Sequence, residues 1–284
     1  MAIFYPFRYK IDNSMQSRQH KTASFLSAHP VFTRAEFAAV FGHPTSAANV
    51  TSLLRHHLRV GNIKRLSREV FAAVPAHLPA ERMVVDRFAA ASKLRRDGVL
   101  GYHSALELHG IAYSEFNEVQ LISAGRTELV DLPFGACRFI NPPKALVEAG
   151  RADDLTMTMD RQGVAIRVTA VERTVVDVLH RPDLAGGVEE VLKSLDLMRY
   201  LDPTKIAGYV ERLGTRSLAS VAGWWLETRR AMLGVTDDVL ARLREQLPRS
   251  KHYALGAEPG DAVLVEPWRV LLPARVVDAT FEGM

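Results

Sequence analysis

The chain lacks most of the features that would place it in a membrane, in a secretory pathway or around a metal. It has 284 residues and a single cysteine, Cys137, so no disulfide can form within it. No cysteine and histidine spacing suits zinc, and no stretch approaches the roughly 18 consecutive apolar residues that a membrane helix needs. The start of the chain has no apolar run like that of a secretory signal. We therefore expect a cytoplasmic protein without disulfide, structural zinc or cofactor.

Apolar residues make up 48% of the chain, which is enough for cores in two domains of ordinary size. The charge is unevenly distributed between them. Residues 1–80 hold ten Lys and Arg against three acidic residues, a net charge of +7, whereas the whole chain carries +4. The remainder therefore carries −3. A basic part joined to a slightly acidic part indicates a polyanion as the partner of the first.

Residues 17–44 have the signals of two successive helices. The segment 17–28 is predicted to be a helix that turns Ala23, Phe25 and Leu26 inward and ends before Pro30. Thr33 and Glu36 then have the spacing of a capping box, which opens a second helix that Gly42 closes.

A third helix is predicted over residues 45–60, opened by the hydroxyl of Thr45 or Ser46. Its apolar face contains Val50, Leu54 and Leu58 at helical spacing. A helix of this kind can lie in the major groove of DNA, where small side chains allow close approach, Asn reads adenine and Arg reads guanine. A solvent-facing amphipathic helix would have the same pattern. The residues predicted to contact DNA from this helix are Thr45, Ser46, Asn49, Ser52, Arg55, His56 and Arg59.

The next segment favours DNA binding over that alternative. Residues 63–66 and 70–74 are predicted to form a hairpin around a polar turn. Three helices followed by such a hairpin make a winged helix, and its cations Lys64, Arg65 and Arg68 would lie beside phosphates or the minor groove of double-stranded DNA. Prolines at 75 and 79 mark a linker, so the first domain is predicted over 1–78. Within it, residues 1–16 form either a basic arm along a groove or an aromatic strap.

Residues 79–284 are predicted to form a larger domain of mixed sheet and helix with a helical C-terminal part, so the fold class is α+β. Its elements begin with a helix over 80–98 and a short one over 102–110. A capping box of Thr169 and Glu172 opens a further helix. Strands are expected at 118–122, 136–140, 155–159 and 164–168, later helices at 186–199, 203–212, 217–232 and 236–246, and two terminal strands near 253–255 and 268–272.

This second domain offers no convincing catalytic motif, so we do not expect an enzyme. His103 beside Ser104, and Asp177 one turn before His180, are residue types of hydrolytic triads, but no Gly-x-Ser-x-Gly elbow accompanies them. His109 is expected to be structural, and Trp224 and Trp225 to be core or interface residues. The glycine pair at 186–187 is too short to hold a phosphate.

Several stretches, in this order, resemble the AbiEi family of antitoxins, the transcriptional regulators of type IV toxin-antitoxin systems. The resemblance covers the chain from about residue 20. In the wing, Glu69 stands where the family usually has glycine. The stretches are Arg68-Glu69-Val70-Phe71-Ala72, Tyr102-His103-Ser104-Ala105-Leu106 with His109-Gly110, Val171-Glu172-Arg173-Thr174 with Asp177, Arg181-Pro182, and Ala185-Gly186-Gly187.

This resemblance implies an autorepressor that binds repeats in its own promoter and counters a nucleotidyltransferase-like toxin, directly or functionally. A homodimer on DNA is expected because one helix and one wing cover little DNA. The alternative is a ligand-responsive winged-helix regulator, or a small enzyme, whose second domain binds a metabolite.

Overall fold

The computed structural model describes residues 13–281 and shows an α+β protein with two compact units. The first unit extends to Leu94 and includes Asp160–Ala165, and the second contains Arg95–Met159 and the residues from Ile166 onward. The unit that holds the predicted winged helix therefore continues beyond residue 78. Of the predicted arm 1–16, residues 1–12 lie outside the described residues, and the rest belongs to the first helix instead.

Helices and strands alternate through most of the chain. The helices are α1 (Asn13–Ala28), α2 (Arg34–Val40), α3 (Ala48–Arg59), α4 (Arg87–Ser92), α5 (Tyr102–Leu108), α6 (Lys144–Glu148), α7 (Val171–His180), α8 (Val188–Asp196), α9 (Pro203–Leu213), α10 (Arg216–Thr228), α11 (Arg230–Leu233), α12 (Asp237–Glu245) and α13 (Ala274–Phe281). The strands are β1 (Val31–Thr33), β2 (Ile63–Arg65), β3 (Val70–Ala73), β4 (Val99–Leu100), β5 (Glu118–Ile122), β6 (Glu128–Leu132), β7 (Gly135–Ile140), β8 (Thr156–Arg161), β9 (Val164–Thr169), β10 (His252–Tyr253), β11 (Ala262–Val265) and β12 (Val270–Pro273). Short 3-10 helices cover Ala80–Arg82, Pro182–Ala185 and Glu266–Trp268.

The first unit contains a small antiparallel sheet in the order β1-β3-β2. The predicted hairpin is confirmed, since Lys64 pairs with Ala72 and Arg65 with Phe71. The strand β1, which sequence reasoning missed, adds Phe32 opposite Phe71. Two helices of a helix-turn-helix, a preceding helix and this three-stranded sheet give the order α1-β1-α2-α3-β2-β3, which is the topology of a winged helix.

Aromatic side chains fill the core of this winged helix. The rings of Phe25 and Phe32 meet edge to face at 5.1 Å, and Phe32 stacks on Phe37 and on Phe71 at 5.8 Å. The predicted capping box is also confirmed: the Thr33 hydroxyl accepts from the Glu36 N–H at 3.1 Å, and Glu36 accepts from the Thr33 N–H at 2.7 Å. These contacts fix α2 on the sheet.

Two local predictions in the first unit are wrong. The third helix begins at Ala48 and not at residue 45, and neither Thr45 nor Ser46 caps it, since Ala47 is the N-cap residue without a side-chain hydrogen bond. In α1 Thr22 is buried together with Phe25, whereas Ala23 is exposed. Leu26 is half-buried, as expected of a residue at the edge of the apolar face.

The long helix predicted over 80–98 is also wrong. Only Arg87–Ser92 is α-helical, because the Asp86 carboxylate accepts from the Ala89 N–H at 2.8 Å and starts a new helix there. Val84, expected to face inward, is 92% exposed. The Asp86 cap therefore starts a short helix inside a segment whose apolar residues follow helical spacing throughout.

A six-stranded mixed sheet lies at the centre of the second part of the chain, in the order β6-β7-β5-β4-β9-β8. The pairs β5·β7 and β4·β9 are parallel, and β4·β5 and β6·β7 are antiparallel. The four predicted strands of this region are confirmed as β5, β7, β8 and β9. The strands β4 and β6 were not predicted.

The predicted helices after the sheet are confirmed, except that the one over 217–232 is divided at Arg229 into α10 and α11. The helix α7 is buried from Glu172 to Leu179. The expected capping box at its start is wrong. Ala170 is the N-cap residue, and the Thr169 hydroxyl is instead 2.7 Å from that of Thr174. Trp224 and Trp225 are core residues of α10, as predicted.

The chain ends in a three-stranded sheet, β10-β12-β11, followed by α13. The two predicted terminal strands correspond to β10 and β12. The strand β11, which lies between the other two in the sequence, and the helix α13 were not predicted.

Candidate nucleic-acid interface

The exposed face of α3 contains the side chains that the sequence assigned to DNA. Val50 and Leu54 turn into the core of the first unit, and this fixes which side of the helix meets solvent. The predicted contact residues on that side, all exposed, are Asn49, Ser52, Arg55, His56 and Arg59. The structure therefore brings the small residues of the early turns and the cations of the late turns to one face.

Asn49 is already engaged in a local hydrogen bond. Its Oδ1 accepts from the Val50 N–H at 2.9 Å. Reading adenine with both amide atoms would need this oxygen as acceptor, so the bond to the backbone competes with that contact. Arg55, in the middle of the exposed face, forms no hydrogen bond or ion pair with any residue of 13–281, so it is the better candidate for reading a base.

The turn before α3 presents Thr45 and Ser46 to solvent, although they do not cap the helix. Their hydroxyls therefore lie at the N-terminal end of the exposed face. Hydroxyl side chains and backbone N–H groups at such an end commonly contact phosphate oxygens.

The three wing cations differ in their availability. The Arg68 side chain, in the turn between β2 and β3, is 96% exposed and 3.8 Å from the Glu69 carboxylate. Arg65 is exposed, with its guanidinium 5.6 Å from the centre of the Phe71 ring. Lys64 is half-buried, and its Nζ donates to the Met83 carbonyl at 3.5 Å. Arg65 and Arg68 are thus accessible to phosphates, although the Glu69 carboxylate competes for Arg68, whereas Lys64 donates to a carbonyl of its own unit.

Two adjacent histidines lie at the C-terminal half of α3. Their rings are 5.3 Å apart, and the Asn62 Nδ2 donates to His57 Nδ1 at 3.2 Å. Burial lowers the pKa of His57, and the charge of His56 lowers it further. His57 is half-buried, whereas His56 is exposed to solvent.

His103, which together with Ser104 supplies residue types of hydrolytic triads, belongs to a structural network, and so does His109. His103 is fully buried, with Nδ1 3.2 Å from Glu107, Nε2 3.1 Å from Glu190 and its ring stacked on Phe116 at 3.6 Å. His109 Nε2 is 2.8 Å from the Thr169 carbonyl.

Asp177 is likewise part of a buried network in α7. It pairs with Arg173 at 3.2 Å and accepts from the Tyr209 hydroxyl at 3.0 Å. Burial raises the pKa of Asp177 although the Arg173 charge opposes it. This arrangement holds two buried charges together and gives Asp177 a structural role.

Among the described residues, the second unit contains a small cleft. Its volume is about 180 Å³, and its lining includes His180, Ser217, His252 and Tyr253. Sites for drug-sized ligands are larger, roughly 300–1,000 Å³. Over residues 13–281, no three His, Cys, Asp or Glu side chains converge as a metal site would require.

Comparisons with known proteins bear on the fold. No protein-family description matches the sequence, and no curated protein does. The chain is similar to the crystal structure of the RV2827C protein from Mycobacterium tuberculosis. The TM-score is 0.56 at 15% identity, and the match covers 92% of this chain and 95% of that one. The similarity therefore extends through both units and establishes a shared fold.

No helix within residues 13–281 is both long enough and apolar enough to cross a membrane.

Proposed function

We propose that this protein is a DNA-binding transcriptional regulator, without enzymatic activity, that represses its own promoter. The observation that carries the proposal is the exposed face of α3, where Ser52, Arg55 and Arg59 point away from the core. Arg65 and Arg68 extend the positive surface along the wing. A recognition helix and a basic wing within one compact unit are the parts that a winged helix uses on double-stranded DNA.

We further propose that it acts as the antitoxin of a type IV toxin-antitoxin system in the cytoplasm, countering a nucleotidyltransferase-like toxin. This part rests on the stretches that resemble the AbiEi family, most of which lie after residue 100. The RV2827C match supports a common fold over the same range.

Binding to the promoter is testable with fluorescently labelled duplexes from the region upstream of the gene. Affinity should fall steeply with salt, because each neutralised phosphate contributes a slope of about 0.9 in log affinity against log salt. Arg55→Ala should weaken binding by about 5- to 150-fold and relax the preference for one base pair, as loss of a base contact does. Arg68→Ala should weaken binding to every duplex and lower the salt slope by about one.

A matched control is Arg126→Ala, which removes the same charge from an exposed arginine of the second unit. It should leave both affinity and salt slope unchanged. Absence of salt-sensitive binding by the wild type, or equal affinities for all four proteins, would refute the DNA-binding proposal.

Antitoxin activity is testable by expressing the neighbouring gene with and without this protein. The wild type and Arg55→Ala should both restore growth, since the variant changes only the proposed DNA surface. A pull-down with the neighbouring gene product then distinguishes direct from functional neutralisation. Unrelieved toxicity with the wild type, or a neighbour without nucleotidyltransferase character, would contradict this part of the proposal.

A further inference from the structure

Arg34 is a basic residue of the first unit that the predicted DNA surface did not include. It is the first residue of α2, directly after the capping residue Thr33, and is half-buried. Its guanidinium Nε donates to the Thr45 carbonyl at 2.8 Å, and its Nη2 donates to the Thr51 hydroxyl at 2.5 Å. One side chain thus holds both the turn before α3 and the first turns of α3 itself.

The backbone of Arg34 forms a hydrogen bond with the wing. The Arg34 N–H donates to the Glu69 carbonyl at 2.8 Å, in the turn between β2 and β3. Next to it, Thr33 pairs with Val70 in the sheet. Arg34 therefore connects the three segments that the proposed DNA surface uses: the turn before α3, α3 and the wing.

The contacts of Arg34 are with neutral acceptors. Among the described residues no carboxylate forms an ion pair with it, and both of its side-chain acceptors belong to the turn and helix just described. The planar guanidinium can donate to two acceptors in fixed directions, which a lysine ammonium at the same place does not reproduce. This geometry suits a residue that sets the orientation of another element.

We propose that Arg34 is a positioning residue, which fixes α3 relative to the wing so that the exposed face of α3 meets base edges in register. The proposal rests on the DNA-binding function proposed above. Contact residues must be held within about 0.5 Å of their productive geometry by supporting contacts. Loss of the Arg34 contacts should therefore cost sequence preference more than overall affinity for DNA.

The rival role for an arginine at this position is a direct phosphate contact. The two roles differ in how they depend on salt. A phosphate contact contributes equally on every duplex and about 0.9 to the salt slope. A positioning residue contributes on the specific duplex alone and leaves the slope unchanged.

The test compares the promoter duplex with a scrambled duplex of the same composition, each over a range of salt concentrations. Arg34→Ala should weaken binding to the promoter by about tenfold, because binding would then have to order the turn before α3 and the start of α3. Binding to the scrambled duplex and both salt slopes should stay at wild-type values. Arg34→Lys keeps the charge and should recover only part of the loss.

Thr51, which is half-buried in α3, supplies an independent variant. Thr51→Val, which removes the hydroxyl that accepts from Arg34, should reduce promoter preference in the same direction. Thr51→Ser, which keeps the hydroxyl, should retain the wild-type preference for the promoter duplex. Combined with Arg34→Ala, Thr51→Val should have little additional effect, because both changes remove the same contact.

Three results would overturn the role of Arg34. Equal losses on both duplexes with a lower salt slope would make it a phosphate contact. Unchanged affinity and unchanged preference for the promoter duplex in both Arg34→Ala and Thr51→Val would show that Arg34 is neither a positioning residue nor a phosphate contact. A wild type that binds no duplex would refute the proposed function, and the role of Arg34 with it, whereas the first two results leave DNA binding itself intact.

Discussion

Gly223, in the middle of α10, lies against the indole ring of Trp268, and substituting it tests how closely the second unit is packed. A Cβ atom at this position would stand 2.0 Å from Trp268 Cζ3, 2.3 Å from Cε3 and 2.4 Å from Cη2. Such distances are far inside van der Waals contact, so either the ring or the helix would have to move.

The ring has little freedom to move. Trp268 is fully buried, its Nε1 donates to the Glu227 carboxylate at 2.6 Å, and the Arg244 guanidinium lies 4.9 Å from its ring centre. Overpacking of a well-filled core costs about 1–3 kcal/mol, occasionally more. Three ring atoms in conflict place Gly223→Ala at the upper end of that range or beyond it.

Helix propensity acts in the opposite direction. Replacing glycine by alanine inside a helix is favourable by about 1 kcal/mol. Steric conflict of about 3 kcal/mol or more should outweigh that gain. We therefore expect Gly223→Ala to lower the free energy of unfolding by about 2 kcal/mol or more.

Gly208→Ala is a matched control in the neighbouring helix α9. Its Cβ would meet only the ends of two flexible side chains, with Arg212 Nη1 at 3.3 Å and Arg242 Nη2 at 3.8 Å. The propensity gain should therefore dominate and leave this variant as stable as the wild type or up to about 1 kcal/mol more stable. Urea unfolding followed by tryptophan fluorescence measures both. If Gly223→Ala matched Gly208→Ala in stability, the packing argument would be wrong.

Three further predictions concern buried and partly buried groups of the second unit. Asp177→Asn should lower the free energy of unfolding by about 3–5 kcal/mol, because Arg173 then keeps its charge without its carboxylate partner. As a control, Asp183→Asn breaks the exposed pair with Arg181 and should cost no more than about 1 kcal/mol. Thermal or urea unfolding measures both variants. Burial alone would raise the pKa of Glu190, but hydrogen bonds from Ser114 and His103 hold it below its usual value. The stabilisation from Glu190 is therefore present above about pH 4.5 and is lost as the pH falls. The difference in unfolding free energy between the wild type and Glu190→Gln should shrink on acidification. A difference that stays constant with pH would contradict this prediction. Burial raises the pKa of the Cys137 thiol to about 12, so a thiol-reactive dye should label the urea-unfolded protein rapidly and the native protein hardly at all.

The features predicted correctly are those whose determinants lie close together in sequence. The capping box of Thr33 and Glu36 spans one helical turn, and the hairpin of the wing joins strands that are adjacent in the chain. The amphipathic pattern of α3 also defined its exposed face correctly. In each case the interacting groups are within a few residues of one another, so local spacing carries the information.

The errors occurred where partners are distant in sequence or where a competing local signal exists. The short strands β1 and β4 have no period of their own and exist because β3, β5 and β9 pair with them. The helix predicted over 80–98 was interrupted by the Asp86 cap. The hydroxyls at Thr45 and Ser46 are typical of a helix start, yet the helix begins three residues later.

By itself, therefore, the sequence determined the winged helix, the excess of positive charge in its domain and the side of α3 that faces solvent. It did so because helical periodicity and strand alternation depend on neighbouring residues. Only the tertiary structure decided which cations of that surface are available. Lys64 is held by the Met83 carbonyl, and Arg34 is held between Thr45 and Thr51. Such contacts join segments that are far apart in the chain, and the positions of those segments depend on packing of the whole unit.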